Sequence, residues 1–124
     1  MDHEIGSRLA RGVAAKDRTS LLDLLDPAVD FRGMTPGRFW EAGSATELVD
    51  DVILGAWFEP TDHIDSLEHV ETGSVADRDR VGYRLRVTNA DGTYLVEQQA
   101  YFAVEDGRIT SLRIMCSGYR PIPG

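Results

Sequence analysis

An α+β domain is the fold class this sequence predicts. Three observations predict it. Apolar residues recur every three to four positions in the first half, the period drops to two from Thr61 onward, and Asp91-Gly92 and Asp106-Gly107 punctuate the second half at hairpin spacing. At 124 residues the chain can bury one core of its own. Its Gly and Pro are dispersed and form no linker, so residues 1–124 read as a single domain.

The helices come first. Ile5, Leu9 and Val13 share one helical face, and Asp17 can cap a second helix carrying Leu21, Leu22, Leu24 and Leu25 before Pro27 stops it. Val29 and Phe31 lie on one side of a short strand in "AVDFRG", after which "MTPG" turns the chain. Ser44 and Glu47 have the spacing of a capping box, predicting a third helix with Leu48, Val49, Val52, Ile53 and Ala56 as its apolar stripe, closed by Glu59-Pro60.

The strands follow. A loose one covers about His63 to Thr72, and "VGYRLRV" alternates cleanly, sending Val81, Tyr83, Leu85 and Val87 to the core. The next strand, "YLVEQQAYF", carries Glu97, Gln98 and Gln99 in its middle, so at least one polar side chain must face inward. A three-residue hairpin loop, Ala90 to Gly92, sets Tyr83 opposite Gln99 and turns Glu97, Gln99 and Tyr101 inward. A two-residue Asp106-Gly107 turn agrees, setting Leu112, Ile114 and Cys116 opposite Tyr101, Gln99 and Glu97. A slip of one residue would instead send Val96, Gln98, Ala100, Phe102 and Val104 inward, leaving Glu97 in water. Both faces can also be covered, one by helices around a pocket and the other by a second subunit on Ala100, Phe102, Val104 and Met115.

Composition excludes several classes. A formal net charge of −8 without a basic stripe opposes nucleic-acid binding. With Lys16 as its one lysine the chain lacks a basic membrane patch, and "VILGAWF" is too short to span a bilayer. The acidic start "MDHEIG" is unlike a signal peptide, and the single Cys116 cannot form an internal disulfide, so a cytoplasmic protein is expected. His3, His63 and His69 lack the spacing of a metal motif, and no phosphate loop or dinucleotide fingerprint is present; neither metal nor cofactor is expected.

The order of elements resembles the nuclear-transport-factor-two-like fold, the cone-shaped α+β barrel of ketosteroid isomerases, SnoaL-type polyketide cyclases and limonene epoxide hydrolases. "LLDLLDPAVDFRG" is similar to the junction after that family's second helix, and "AYFAVEDGRITSLRIMCSG" to its "f.f.dGrI..lr" hairpin. The resemblance implies a curved, largely antiparallel (mixed) sheet wrapped over three N-terminal helices around a deep apolar cavity, and a homodimer packed through the convex sheet face. Carried over residue by residue, the ketosteroid isomerase base falls near Phe31, its tyrosine near Leu9 and its protonated aspartate at Gln99. None of the three keeps its chemistry, so that reaction is not expected, although Gln99 can still donate a hydrogen bond to a ligand oxygen.

The remaining chemistry centres on Glu97. In an apolar cavity its carboxyl would be pushed up toward about 6, fit to exchange protons near neutral pH. Gln99 and Tyr101 would orient the substrate beside it, with Phe31, Trp40, Trp57, Tyr83, Ile114 and Cys116 as the wall. One reading is therefore a cofactor-free isomerase, cyclase or hydrolase acting on a small hydrophobic oxygenated molecule. The other is a non-catalytic small-molecule-binding or dimerisation module, favoured if an arginine satisfies Glu97. Asp30, alternating with Val29 and Phe31, should point away from the core.

Overall fold

The computed structural model describes residues 3–123. Helices α1 (His3–Ala14) and α2 (Arg18–Leu24) come first, then strands β1 (Leu25–Thr35) and β2 (Arg38–Ala42), helix α3 (Glu47–Trp57), and strands β3 (His63–Val75), β4 (Arg78–Asn89), β5 (Gly92–Glu105), β6 (Arg108–Cys116) and β7 (Arg120–Pro121). The strands form one mixed sheet in the order β2-β1-β6-β5-β4-β3, with β7 on β5; β1 and β6 are parallel and the other pairs antiparallel.

Capping explains where the helices start. Asp17 accepts the Ser20 amide at 3.1 Å, and at α3 the Glu47 amide donates to Ser44 Oγ while the Glu47 carboxylate accepts the Gly43 amide. The third helix is wound as a π-helix, its last turn closed by Phe58 N donating to the Ile53 carbonyl five residues back. The wider turn changes which side chain faces inward. Ala56, expected in the apolar stripe, is exposed, and Trp57 is buried in its place. Gly55 permits this winding, because a Cβ there would sit 2.5 Å from the Asp50 carbonyl oxygen.

The core lies between the helices and the concave face of the sheet. Leu9, Val13, Leu21 and Leu24 meet Leu48, Val52 and Ile53, and all pack toward Val81, Leu85, Val96, Phe102 and Leu112. Burying side chains of this size is worth roughly 1.5–3 kcal/mol each, which makes this contiguous cluster the main source of stability.

The strand registers correct the inward set of β5. Asn89 pairs with Gly92, so the first hairpin loop is Ala90-Asp91 and not three residues; Asn89 Oδ1 accepts the Asp91 amide, and its Nδ2 is tied to Asp62. Tyr83 therefore sits opposite Gln98, and Leu85 opposite Val96. On the other side the Asp106-Gly107 turn has two residues, as expected, but Thr110 bulges out between the Val104–Ile109 and Ala103–Ser111 pairs. The bulge restores agreement between the two hairpins. Leu112, Ile114 and Cys116 face Phe102, Ala100 and Gln98. Val96, Gln98, Ala100 and Phe102 are buried, while Glu97, Gln99 and Tyr101 share the outer face. Among the described residues no helix is long and apolar enough to cross a membrane.

Candidate functional site

The concave sides of β1 and β2 are read off by alternation. Phe31, Gly33 and Thr35 on β1 and Arg38, Trp40 and Ala42 on β2 point one way, and Arg38 pairs with Thr35. Gly33 leaves room for an indole. A Cβ there would lie 3.1 Å from the Trp57 ring, so the end of α3 can press its tryptophan onto the strand. Trp57 packs edge-on to Phe31 (5.8 Å between centroids) and to Trp40 (6.1 Å).

A cavity of about 430 Å³ opens beside this aromatic group. Trp40, Trp57, Phe58 and Tyr119 supply its flat walls, and Thr35 and Cys116 are among the smaller residues on it. Tyr119 is held firmly. Its ring packs against Phe58 and Tyr94, and its hydroxyl lies 2.8 Å from the Trp57 carbonyl and 3.0 Å from the Asp62 carboxylate. Burial, and then the negative charge of Asp62, push the Tyr119 phenol well above its ordinary value.

Two buried donors near this space lack acceptors. The indole N–H of Trp57, a residue only 6% exposed, has no hydrogen-bond partner, whereas that of Trp40 donates to Thr35 Oγ1 at 2.8 Å. The amide nitrogen of Gln98, a residue 1% exposed, is likewise unpaired. Its carbonyl accepts 2.6 Å from the Tyr83 hydroxyl, whose pKa burial pushes far up, and across the sheet it pairs with Cys116 on the cavity wall. A buried donor left unpaired costs about 1–3 kcal/mol, and of the two only Trp57 belongs to a residue of the cavity wall.

The Asp62 carboxylate beside the cavity is already engaged. Asp62 accepts from the Glu59 amide and from Asn89 Nδ2, besides its contact with Tyr119. The Asp62 and Glu59 carbonyls hold the ammonium of Lys16, whose pKa burial lowers. Glu97, expected as the acid or base, lies on the outer face between Arg120 and Arg84, the latter at 3.6 Å. Gln99 is outside too, accepting from Arg80 Nη1 at 3.0 Å, and Tyr101 sits opposite Arg113. One register slip accounts for all three.

Of the expected wall residues, Trp40, Trp57 and Cys116 border the cavity, while Phe31, Tyr83 and Ile114 are packed into the buried core. Asp30 points outward and pairs with Arg113 at 3.1 Å. His63 and His69 are exposed beside Asp65 and Glu71. Among the described residues no group of three His, Cys, Asp or Glu side chains is placed to hold a metal ion. Sequence reasoning missed Gln98, Thr35 and Tyr119. Only the first left a signal, as one of the two sets that a register slip exchanges.

The outer face has a groove of its own, about 470 Å³, bordered by Met34, Phe39, Tyr101 and Met115 with Arg32 and Arg113 beside them. Phe39 is 79% exposed and Met115 55%.

No family model and no curated protein matches the sequence. Solved structures do. An NTF2-like protein of unknown function from Mesorhizobium loti is 25% identical with a TM-score of 0.64, over 94% of this chain and 90% of the other. An NTF2-like protein from Burkholderia thailandensis is 17% identical at 0.66, over 92% and 88%. An LEH-like epoxide hydrolase of M. tuberculosis is 10% identical at 0.65, over 92% and 80%. The element order, the curled mixed sheet and these neighbours agree: the chain has the nuclear-transport-factor-two-like fold.

Proposed function

We propose that this protein is a small-molecule-binding domain that seats a largely apolar, oxygen-bearing ligand in the aromatic cavity beside Trp57. One observation carries the reading: Trp57 lines the cavity, and its buried indole N–H has nothing to donate to. A ligand carbonyl or ether oxygen would satisfy it, and the flat walls of Trp40, Phe58 and Tyr119 would take the rest. Acid–base catalysis by Glu97 lacks support, because that carboxylate is outside and paired with two arginines. Calorimetric titration of mono- and bicyclic aromatic ketones into the wild type and Trp57→Phe tests the reading. Saturable binding, weakened about tenfold in the variant, is expected from one lost hydrogen bond. No binding by any ketone, or equal affinity for both proteins, would reject it.

We also propose that the outer face pairs with a second copy of the chain. Phe39, Met34 and Met115 offer apolar area to water there, which monomers rarely tolerate in contiguous patches. Arg32 and Glu41 are cross-strand neighbours, both exposed, and form no ion pair with each other among the described residues. In the proposed pair a two-fold axis would set each against the opposite charge of the second copy. Light scattering at micromolar concentration should give twice the chain mass, and Met115→Glu should halve it. A wild-type monomer would contradict the pairing.

A further inference from the structure

Arg38 opens the inward-facing row of β2 and is exposed beside two residues of the cavity wall, Thr35 and Trp40. It precedes Trp40 by two residues and so shares its face, pairs with Thr35 on the cavity wall, and lays its guanidinium carbon 3.7 Å from the centre of the Trp40 ring. Stacking of this kind fixes the direction of a guanidinium while leaving its N–H edges open. Eight of the other eleven arginines are matched to acids among the described residues, such as Arg18 to Asp50, Arg86 to Glu68, Arg113 to Asp30 and Arg120 to Glu97. Among the described residues no carboxylate pairs with Arg38. In a chain of net charge −8, an oriented and unpaired cation at a cavity mouth selects by sign.

The polar groups inside ask for the complementary chemistry. Trp57 brings an unused donor, and the nearby acids Asp62 and Glu59 act on Tyr119, whereas Arg38 stacks on Trp40. The Asp62 carboxylate is already taken by the Glu59 amide, Asn89 and Tyr119, whereas a ligand with a terminal carboxylate would find a two-pronged donor in Arg38.

We infer that the ligand is an aromatic or alicyclic carboxylic acid, bound with its ring system against Trp40 and Trp57 and its carboxylate at the mouth on Arg38. This deepens the small-molecule reading above and rests on it. Arg38 is thus the specificity-determining residue, separating acids from neutral compounds of the same shape.

Calorimetry with the matched pair 2-naphthoate and 2-naphthamide tests the assignment on the full chain. Wild type should bind the acid about tenfold tighter than the amide, in keeping with a charge-assisted, partly solvated contact. Arg38→Gln, which keeps a planar hydrogen-bonding end group but removes the charge, should abolish that preference, so that acid and amide bind with equal affinity. Arg38→Lys should keep part of it, and raising the salt concentration should shrink it in the wild type. Equal wild-type affinity for acid and amide, or a preference that survives in Arg38→Gln, overturns the assignment to Arg38 and leaves the cavity reading standing. Binding of neither compound overturns both.

Discussion

The Tyr83 hydroxyl donates a 2.6 Å hydrogen bond to the side-chain carbonyl of Gln98, its cross-strand partner, in the fully buried centre of the sheet. The pair places a polar link where every neighbouring inward position is apolar. Tyr83→Phe should cost about 1–2 kcal/mol, because the Gln98 carbonyl would then join its amide nitrogen as an unpaired group. Gln98→Leu alone should also destabilise, by orphaning the hydroxyl. The double variant should lose less than the sum, since both ends of the link vanish together. Urea denaturation of the four proteins measures this, and strict additivity would show that the bond contributes nothing cooperative.

Glu97→Gln should leave ligand affinity unchanged and lower stability by less than about 1 kcal/mol, as expected for a half-exposed ion pair on the sheet surface. A binding loss above threefold in the titration would mean that this side chain reaches the ligand after all.

Gly55→Ala places a methyl group against the Asp50 carbonyl oxygen, 2.5 Å away without relaxation. The π-winding of α3 must give, and Trp57 must leave its place between Phe31 and Trp40. A stability loss of about 2 kcal/mol is expected, together with weakened near-ultraviolet tryptophan dichroism. An unchanged spectrum would separate the glycine from the position of the indole.

The Arg18–Asp50 bridge joins α2 to α3, with Arg18 Nε 2.8 Å from the carboxylate. That hydrogen bond holds the folded pKa of Asp50 below its ordinary 3.8. A depressed carboxylate stabilises the fold above the unfolded value and loses this contribution as pH falls through the folded one. Asp50→Asn should therefore melt lower than wild type at neutral pH, and the gap should close as pH drops below 3.8. Thermal melts at both pH values check it; a gap independent of pH would assign the effect to something other than charge.

The helix caps and the inward alternation of β4 could be read from the chain, because both follow from local spacing. Asp17, Ser44 and Glu47 perform the roles their positions suggest, and Val81, Tyr83, Leu85 and Val87 are all buried. The candidate site could not be read as well, because its content depends on two features that alternation does not reveal. One is the loop length after Asn89, set by a side chain reaching Asp62. The other is the winding of α3, where apolar spacing suits an ordinary helix and the close approach at Gly55 decides for the wider one. β2 was hidden for a simpler reason. It is five residues long, and with Ala42 the single buried side chain its burial does not alternate.

The extra residue at Thr110 acts as a phase setter for the C-terminal hairpin. Closing the bulge with every residue retained would set Thr110 opposite Ala103 and rotate the rest of β6, so that Arg113 and Met115 turned toward the helices and Leu112 and Ile114 toward solvent, whereas losing Thr110 would leave Leu112 opposite Phe102. At this hairpin a change that flattens the bulge without shortening the strand should therefore be far less tolerated than loss of the threonine itself.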